Sequence, residues 1–199
     1  MKKLILLLLW ISSITSFGQT FSSQVFHEGF LVTSNQDTVR GSLKYDLETN
    51  ILILVRDGKT RSYSSQKVFY FEIYDDNQKN YRQFYSIPYN VNYDYKIPIF
   101  FELIYEGKLS LLQRESIVQQ NSNANSAYWG STVSRMVVVY DYFFLDSKGK
   151  LQFFGGKKKD LYRILTKKQS ELKKFVKDNR LDPDDIRDLI RIISFYNSI

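Results

Sequence analysis

The hydrophobic pattern of this chain changes its period once, and that change limits the fold more than any other feature. From Phe26 to Phe154, short apolar runs alternate with polar turns, as expected for β-strands. After Gly156, apolar residues recur every three or four positions, as on one face of an α-helix. The sequence therefore predicts a mainly β protein with a C-terminal pair of α-helices, α+β overall.

Short turns separate the predicted strands. Gly58, Gly107 and Gly149 each lie between two apolar runs and are each followed by a lysine. Strands joined by such turns predict an antiparallel sheet. The pattern fits an antiparallel sandwich and a small barrel equally, so both architectures remain open. Two runs, Met136–Val139 and Tyr142–Leu145, are rich in apolar residues throughout, and we expect them to be central strands covered on both faces.

The C-terminal region contains two helix signatures. Thr166 and Gln169 have the spacing of a capping box, and an apolar stripe follows them. Asp182 precedes Pro183 as a predicted N-cap, and a second stripe runs from Ile186 to Ile193. Short amphipathic helices need a surface on which to bury their stripes. The predicted organisation is an antiparallel β domain over 19–156 with a helical pair over 157–199 packed on it.

The N-terminus has the layout of a secretory signal peptide over residues 1–18. Lys2 and Lys3 precede the apolar run Leu4–Ile11, and the small residues Ser16 and Gly18 mark a cleavage site before residue 19. The apolar run is short for a membrane-spanning helix. We therefore expect an exported protein, periplasmic or extracellular, with no transmembrane segment after signal cleavage.

Composition excludes several kinds of chemistry. The 199 residues include no cysteine and one histidine, His27, so thiol catalysis, disulfides and thiolate metal sites are excluded. The formal charge of +7 comes from basic residues that are mostly interleaved with acidic ones, and no nucleic-acid partner is expected. No G-x-S-x-G motif, phosphate loop or dinucleotide fingerprint occurs, and the S-x-x-K matches Ser64–Lys67 and Ser170–Lys173 lack the S-D-N and K-T-G elements of the penicillin-binding type. The sequence predicts no catalytic residue, no metal ligand and no cofactor.

Two aromatic groups are the candidate binding residues. Tyr128 and Trp129 lie in Ser116–Thr132, a segment rich in Asn, Ser and Gln that the sequence predicts to be a long loop. Flanked by small residues, these two rings are candidates for contact with a partner protein or a glycan.

A second group consists of tyrosines near the end of one candidate strand and in the connection to the next. Tyr85, Tyr89, Tyr93 and Tyr95 are candidates for the mouth of a ligand cavity. The alternative for both groups is structural: the rings pack on the domain itself.

Four features of the chain belong together: the N-terminal signal, the strand opener Asp37–Leu43, the hairpin Phe101–Leu112, and the tail Leu181–Ile186 with Phe195-Tyr196-Asn197. In these features the chain resembles a group of small exported β-rich proteins of unknown function from Bacteroidota. The resemblance covers most of the chain after the signal. Because the shared motifs are structural, the resemblance implies kinship and export and carries no activity.

These observations favour an exported envelope protein that acts as a non-enzymatic binding or interaction module, with an envelope protein or a glycan as partner. A β-barrel carrier of a small apolar ligand is the first alternative. A hydrolase that uses carboxylates such as Glu102 and Glu106 is the second, and would need two carboxyl groups about 5 to 9.5 Å apart in a cleft.

Overall fold

A computed structural model describes residues 20–92, 95–123 and 132–199. It contains a ten-stranded antiparallel sheet followed by three α-helices, which confirms the predicted mainly β, α+β class. The predicted signal peptide, Tyr93, Tyr128 and Trp129 lie outside the described residues. Within the described part of the chain, no helix combines the length and the apolar character that crossing a membrane requires.

The strands follow one another along the chain and pair mostly with their sequence neighbours. They are β1 (His27–Thr33), β2 (Thr38–Asp46), β3 (Ile51–Arg56), β4 (Lys59–Ser64), β5 (Val68–Asp75), β6 (Asn80–Asn92), β7 (Tyr95–Tyr105), β8 (Leu109–Asn123), β9 (Thr132–Asp146) and β10 (Leu151–Phe154). Their order across the sheet is β10-β9-β8-β7-β6-β5-β1-β2-β3-β4. Strand β1 pairs with β2 on one side and with β5 on the other. Short 3-10 turns at Ser22–Gln24 and Ser65–Lys67 precede β1 and β5.

The sheet rolls over on itself. Strands β2 and β8 lie five positions apart in the sheet order. In a flat sheet that separation would be about 24 Å, at roughly 4.8 Å per strand. Instead, the hydroxyl of Tyr45 on β2 donates a hydrogen bond of 2.7 Å to Glu115 on β8. The interior of the roll is filled by apolar side chains from six strands, among them Phe71, Phe84 and Phe100.

Three helices cover one face of the other end of the sheet. They are α1 (Lys158–Ile164), α2 (Gln169–Asp178) and α3 (Ile186–Ser198). The two longer helices are those that the stripes predict. Their buried residues, including Leu172 and Leu189, form one core with Leu111 and Phe144 of the sheet. On the opposite face of the same strands, Phe143 packs with residues of β7 in a third core.

The helix starts differ from the predicted ones. Asp185, not Asp182, caps α3, and its carboxylate accepts hydrogen bonds from the backbone N–H groups of Arg187 and Asp188. The residue before α2 is Lys168, which makes no side-chain cap. More than one residue type can serve as an N-cap, so a helix start that is predicted from sequence can be off by a few residues.

The prediction for Met136–Val139 is wrong, whereas the one for Tyr142–Leu145 is confirmed at its centre. Phe143 and Phe144 are buried on opposite faces of β9, but Met136 and Val139 are 45% and 39% exposed. The predicted loop Ser116–Thr132 is also corrected, because β8 continues to Asn123. The polar residues of Ser116–Asn123 are held in a strand by their pairing with β9.

Candidate functional site

The densest group of ionisable side chains in the described chain is centred on Arg82 of β6. Three carboxylates surround its guanidinium: Asp75 at the end of β5, Glu102 on β7 and Glu115 on β8. The Arg82 side chain is 1% exposed, and the carboxylates are at most 7% exposed. We call these four residues together with Tyr45 the Arg82 cluster. The roll of the sheet creates the cluster, because it brings β2 and β8 to the same point.

Every N–H of the Arg82 guanidinium has a hydrogen-bond acceptor. Nε and Nη2 donate to the two oxygens of Glu102, both at 2.7 Å. Nη2 also donates to Glu115 at 2.8 Å, and Nη1 donates to Tyr45 at 2.8 Å and to Asp75 at 3.1 Å. These bonds use all five donors of an arginine side chain. The bidentate contact with Glu102 is the strongest geometry available to an arginine–carboxylate pair.

The carboxylates are equally well satisfied. The second oxygen of Glu115 accepts from the Tyr45 hydroxyl, and Gln113 donates to Glu102 at 2.8 Å. The Asp75 oxygen that Arg82 does not contact accepts from two backbone N–H groups of the turn that follows β5. The cluster sets three carboxyl groups against one guanidinium, and these neutral donors supply the hydrogen bonds that the guanidinium does not.

The ionisation of the cluster follows from its contacts. Burial alone would lower the pKa of Arg82, but its hydrogen bonds and attraction to Glu102 outweigh burial and raise it. Burial would raise the pKa of Asp75, but hydrogen bonds from Ser22, the backbone and Arg82 lower it. Burial and the neighbouring Glu115 raise the pKa of Tyr45 far above its ordinary value. Arg82 and Asp75 are therefore charged and Tyr45 neutral at physiological pH.

This geometry suits a structural role better than acid–base catalysis. A general acid or base needs an oxygen that can reach a substrate, whereas each carboxylate oxygen of the cluster already accepts a hydrogen bond inside the protein. The carboxylates that the sequence suggests for a hydrolase do not share a cleft. Glu102 is buried, whereas Glu106 is exposed in the turn after β7. In the described residues, no three His, Asp or Glu side chains are placed to hold a metal ion.

His27, the one histidine of the chain, is also engaged in structure. Its ring is buried beside Tyr45, with the ring centroids 6.3 Å apart. Its Nε2 lies 2.8 Å from the carbonyl oxygen of Ser22. The first strand is thereby fastened to the 3-10 turn that precedes it.

The described candidate tyrosines pack in different places. Tyr85 stacks on Tyr70 with a centroid distance of 5.3 Å, on the outside of β5 and β6. Tyr89 packs edge-on against Phe101 and Phe143, between the outer part of the β6–β7 hairpin and β9. Tyr95 is 69% exposed. No ring contact joins Tyr85, Tyr89 and Tyr95 to one another among the described residues. A ligand mouth formed by these residues stays a prediction, as does partner contact by Tyr128 and Trp129.

A different feature stands out on the surface: the extended hairpin of β8 and β9. We call residues Ser116–Asn123 and Thr132–Val139 the arm. They pair in register from Ser116 opposite Val139 to Asn123 opposite Thr132. On the side toward the arm, the pairing of β7 with β8 ends at Gln113, and the pairing of β10 with β9 ends at Tyr142. Within the described chain, both outer edges of the arm therefore lack a strand partner.

The exposed surface of the arm is nearly uncharged and includes three large apolar side chains among polar ones. Val118, Met136 and Val139 are 38%, 45% and 39% exposed. Arg135 is the only charged residue in the arm, and it donates to Gln120 across the hairpin. The composition of Ser116–Thr132 draws attention to this part of the sequence, but it does not reveal the paired strands of the arm or their open edges.

Comparisons with protein-family models, with curated proteins and with solved structures give no match to this chain.

Proposed function

We propose that this chain is a non-enzymatic interaction module of an exported envelope protein, and that its arm binds an extended segment of another polypeptide. One observation carries the proposal: β8 and β9 continue together past their last partners on either side. Unpaired strand edges present rows of backbone N–H and C=O groups, which another strand can complete.

The length and composition of the arm support strand addition. Eight residues in each strand, from Ser116 to Asn123 and from Thr132 to Val139, span about 26 Å at roughly 3.3 Å per residue. The segment has no proline and a single charge, and it is rich in β-branched residues. Proteins commonly protect open edges with lysine, proline or a very short strand, and the arm uses none of these devices.

The chemistry of the arm favours one kind of partner. Main-chain hydrogen bonding to an edge requires a partner with alternating backbone donors and acceptors, which a polypeptide has and a glycan does not. The exposed Val118, Met136 and Val139 would pack against small apolar side chains of the added strand. The expected partner is therefore an extended, nearly uncharged polypeptide segment.

The two alternatives have weaker support. A carrier of an apolar ligand needs an interior cavity, but Phe71, Phe84 and Phe100 are fully buried where such a cavity would lie. A hydrolase needs accessible carboxylates, and those nearest to one another are bonded to Arg82. Export itself rests on the predicted signal peptide and on the resemblance to exported proteins.

Site-specific photo-crosslinking tests the proposal in the cell that produces the protein. A photoreactive residue replaces Val118 or Val139 in the full chain, and the control variants carry it at Phe69 or Phe153, which are 49% and 51% exposed outside the arm. We expect crosslinks to an extended segment of one polypeptide from the arm positions alone. A synthetic peptide of that segment should then bind the purified protein.

The charge variants Val118→Lys and Val139→Lys complete the test. They should abolish binding of the peptide, whereas Phe69→Lys should leave binding unchanged, because a lysine on an edge opposes strand addition. Crosslinks to a glycan or to a second copy of the chain would overturn the proposal. Equal crosslinking from the control positions would overturn it as well.

A further inference from the structure

A second surface feature lies at the opposite end of β8 and is independent of the arm. A cavity of ≈ 480 Å³ opens where the β7–β8 turn, the β9–β10 turn and the C-terminal ends of α1 and α3 meet. Four lysines line it: Lys108, Lys148, Lys150 and Lys167. We call this cavity the lysine pocket. Its volume lies in the range of small-molecule binding sites.

The four lysines outnumber the acidic side chains of the lining. None of the four has a carboxylate at ion-pair distance among the described residues, whereas Arg163, a fifth basic residue of the lining, pairs with Asp160 at 3.1 Å. Asp146 is the one acidic side chain of the lining. It accepts hydrogen bonds from the backbone N–H groups of Lys148 and Lys150, both at 2.9 Å, and so closes its own turn.

One wall of the pocket is fixed by a pair of hydrogen bonds. The side chain of Asn197 near the end of α3 accepts from the N–H of Leu109 and donates to its carbonyl, both at 2.9 Å. Residue 107 must be glycine for this contact, since a Cβ there would lie 2.5 Å from the Asn197 side chain. The end of α3 is thus clamped to the start of β8. This part of the pocket wall is therefore fixed before any ligand binds.

The lining combines this positive rim with an apolar floor. Leu109, Phe144 and Ile164 belong to the core shared by the sheet and the helices, and Tyr196 adds an aromatic ring beside them. The Tyr196 hydroxyl accepts from the backbone N–H of Lys167 at 3.4 Å, which leaves its proton free to donate. A ligand that fits this lining carries negative charge on one side and a small apolar or ring portion on the other.

We propose that the lysine pocket is a binding site for a small organic anion with two or more negative charges, such as a phosphate ester or a polycarboxylate. The four lysines provide point charges from three different turns, and such convergence favours a multivalent anion over a single charge. Because the lysines are exposed, the attraction is screened by salt, and binding should weaken as ionic strength rises. The anion can be a free metabolite or the headgroup of an anionic lipid.

Calorimetric titration of the full chain at low ionic strength tests this site. The probes are pyrophosphate, citrate and vesicles that contain phosphatidic acid. The pocket variant Lys108→Gln/Lys150→Gln is compared with a control, Lys59→Gln/Lys174→Gln, which removes the same charge from exposed positions outside the pocket. We expect saturable binding to the unmodified chain and to the control, with at least a tenfold weaker affinity in the pocket variant.

The outcomes separate the two sources of the anion. Binding of a soluble probe with loss in the pocket variant supports a free anion. Binding only of the vesicles, with the same loss, supports a lipid headgroup. Equal binding by the pocket variant and the control would show a nonspecific charge effect and overturn the proposal. Absence of saturable binding for all three probes would overturn it too.

Discussion

Strand β8 connects two regions that differ in how their polar groups are hydrogen-bonded. At Glu115 it contributes to the Arg82 cluster, where charges are buried and each N–H of the guanidinium has a partner. One residue later it enters the arm, which is nearly uncharged and exposed and has open backbone edges. In the Arg82 cluster, ionisable side chains hold the fold together, whereas in the arm the backbone keeps hydrogen-bonding groups without a strand partner.

The largest predicted effect comes from removing the central cation. Arg82→Met leaves three carboxylates buried around an apolar side chain, and breaking a buried ion pair in this way costs about 3–5 kcal/mol of unfolding free energy. Urea unfolding of the variant measures the loss. Arg61→Met on the exposed strand β4 is the control and should change stability by less than about 0.5 kcal/mol. A loss no greater than that of the control would show that the cluster is not structural.

The next effect isolates one hydrogen-bonding group of the cluster. Tyr45→Phe removes a hydroxyl that accepts from Arg82 and donates to Glu115, and an unsatisfied buried group costs about 1–3 kcal/mol. Tyr63→Phe is the matched control, because its hydroxyl makes no hydrogen bond within the described chain. Thermal unfolding should show a clear drop in Tm for the first variant alone. Equal Tm values for the two variants would contradict this hydrogen-bond network.

The stability of the cluster should also depend on pH in a defined direction. The pKa of Asp75 is lowered in the folded protein, so the folded state binds its proton less readily than the unfolded chain does. The stabilisation is therefore present above an unfolded pKa of about 3.9 and is lost as pH falls through the folded value.

Urea unfolding between pH 7 and pH 2 checks this dependence. The unmodified chain should lose stability steeply at the acid end. Asp75→Asn should be less stable at pH 7 and show a shallower acid dependence, while Asp57→Asn in the exposed β3–β4 turn should follow the unmodified chain. If Asp75→Asn loses stability at acid pH as steeply as the unmodified chain, other carboxylates cause the loss and the prediction is wrong.

The smallest effect on stability is expected in the arm. Val118→Lys and Val139→Lys should each change the unfolding free energy by less than about 0.5 kcal/mol, because both side chains are substantially exposed. Val68→Lys, which places the same charge at a position 2% exposed, should be strongly destabilising. A large loss from the arm variants would mean that the arm packs on the protein itself and is not an open surface.

The sequence predicts the strands and the two longer helices well, because alternation and helical stripes are local signals. The Arg82 cluster is not predictable in this way. Tyr45, Arg82 and Glu115 look like ordinary polar positions of separate strands, and they meet only because the sheet rolls over. The arm is missed for a related reason: the apolar run Met136–Val139 resembles a buried strand, and the sequence does not show that its neighbours stop short.

Amide hydrogen exchange of the full chain, followed residue by residue by NMR in dilute monomeric solution, tests the open edges of the arm most directly. In an antiparallel pair, alternate N–H groups point inward to the partner strand and outward from it. Every second amide of Ser116–Asn123 and of Ser134–Val139 should therefore exchange fast and its neighbours slowly. Uniformly slow exchange along both strands in the monomer would show that the edges are already covered and would contradict the proposed binding mode.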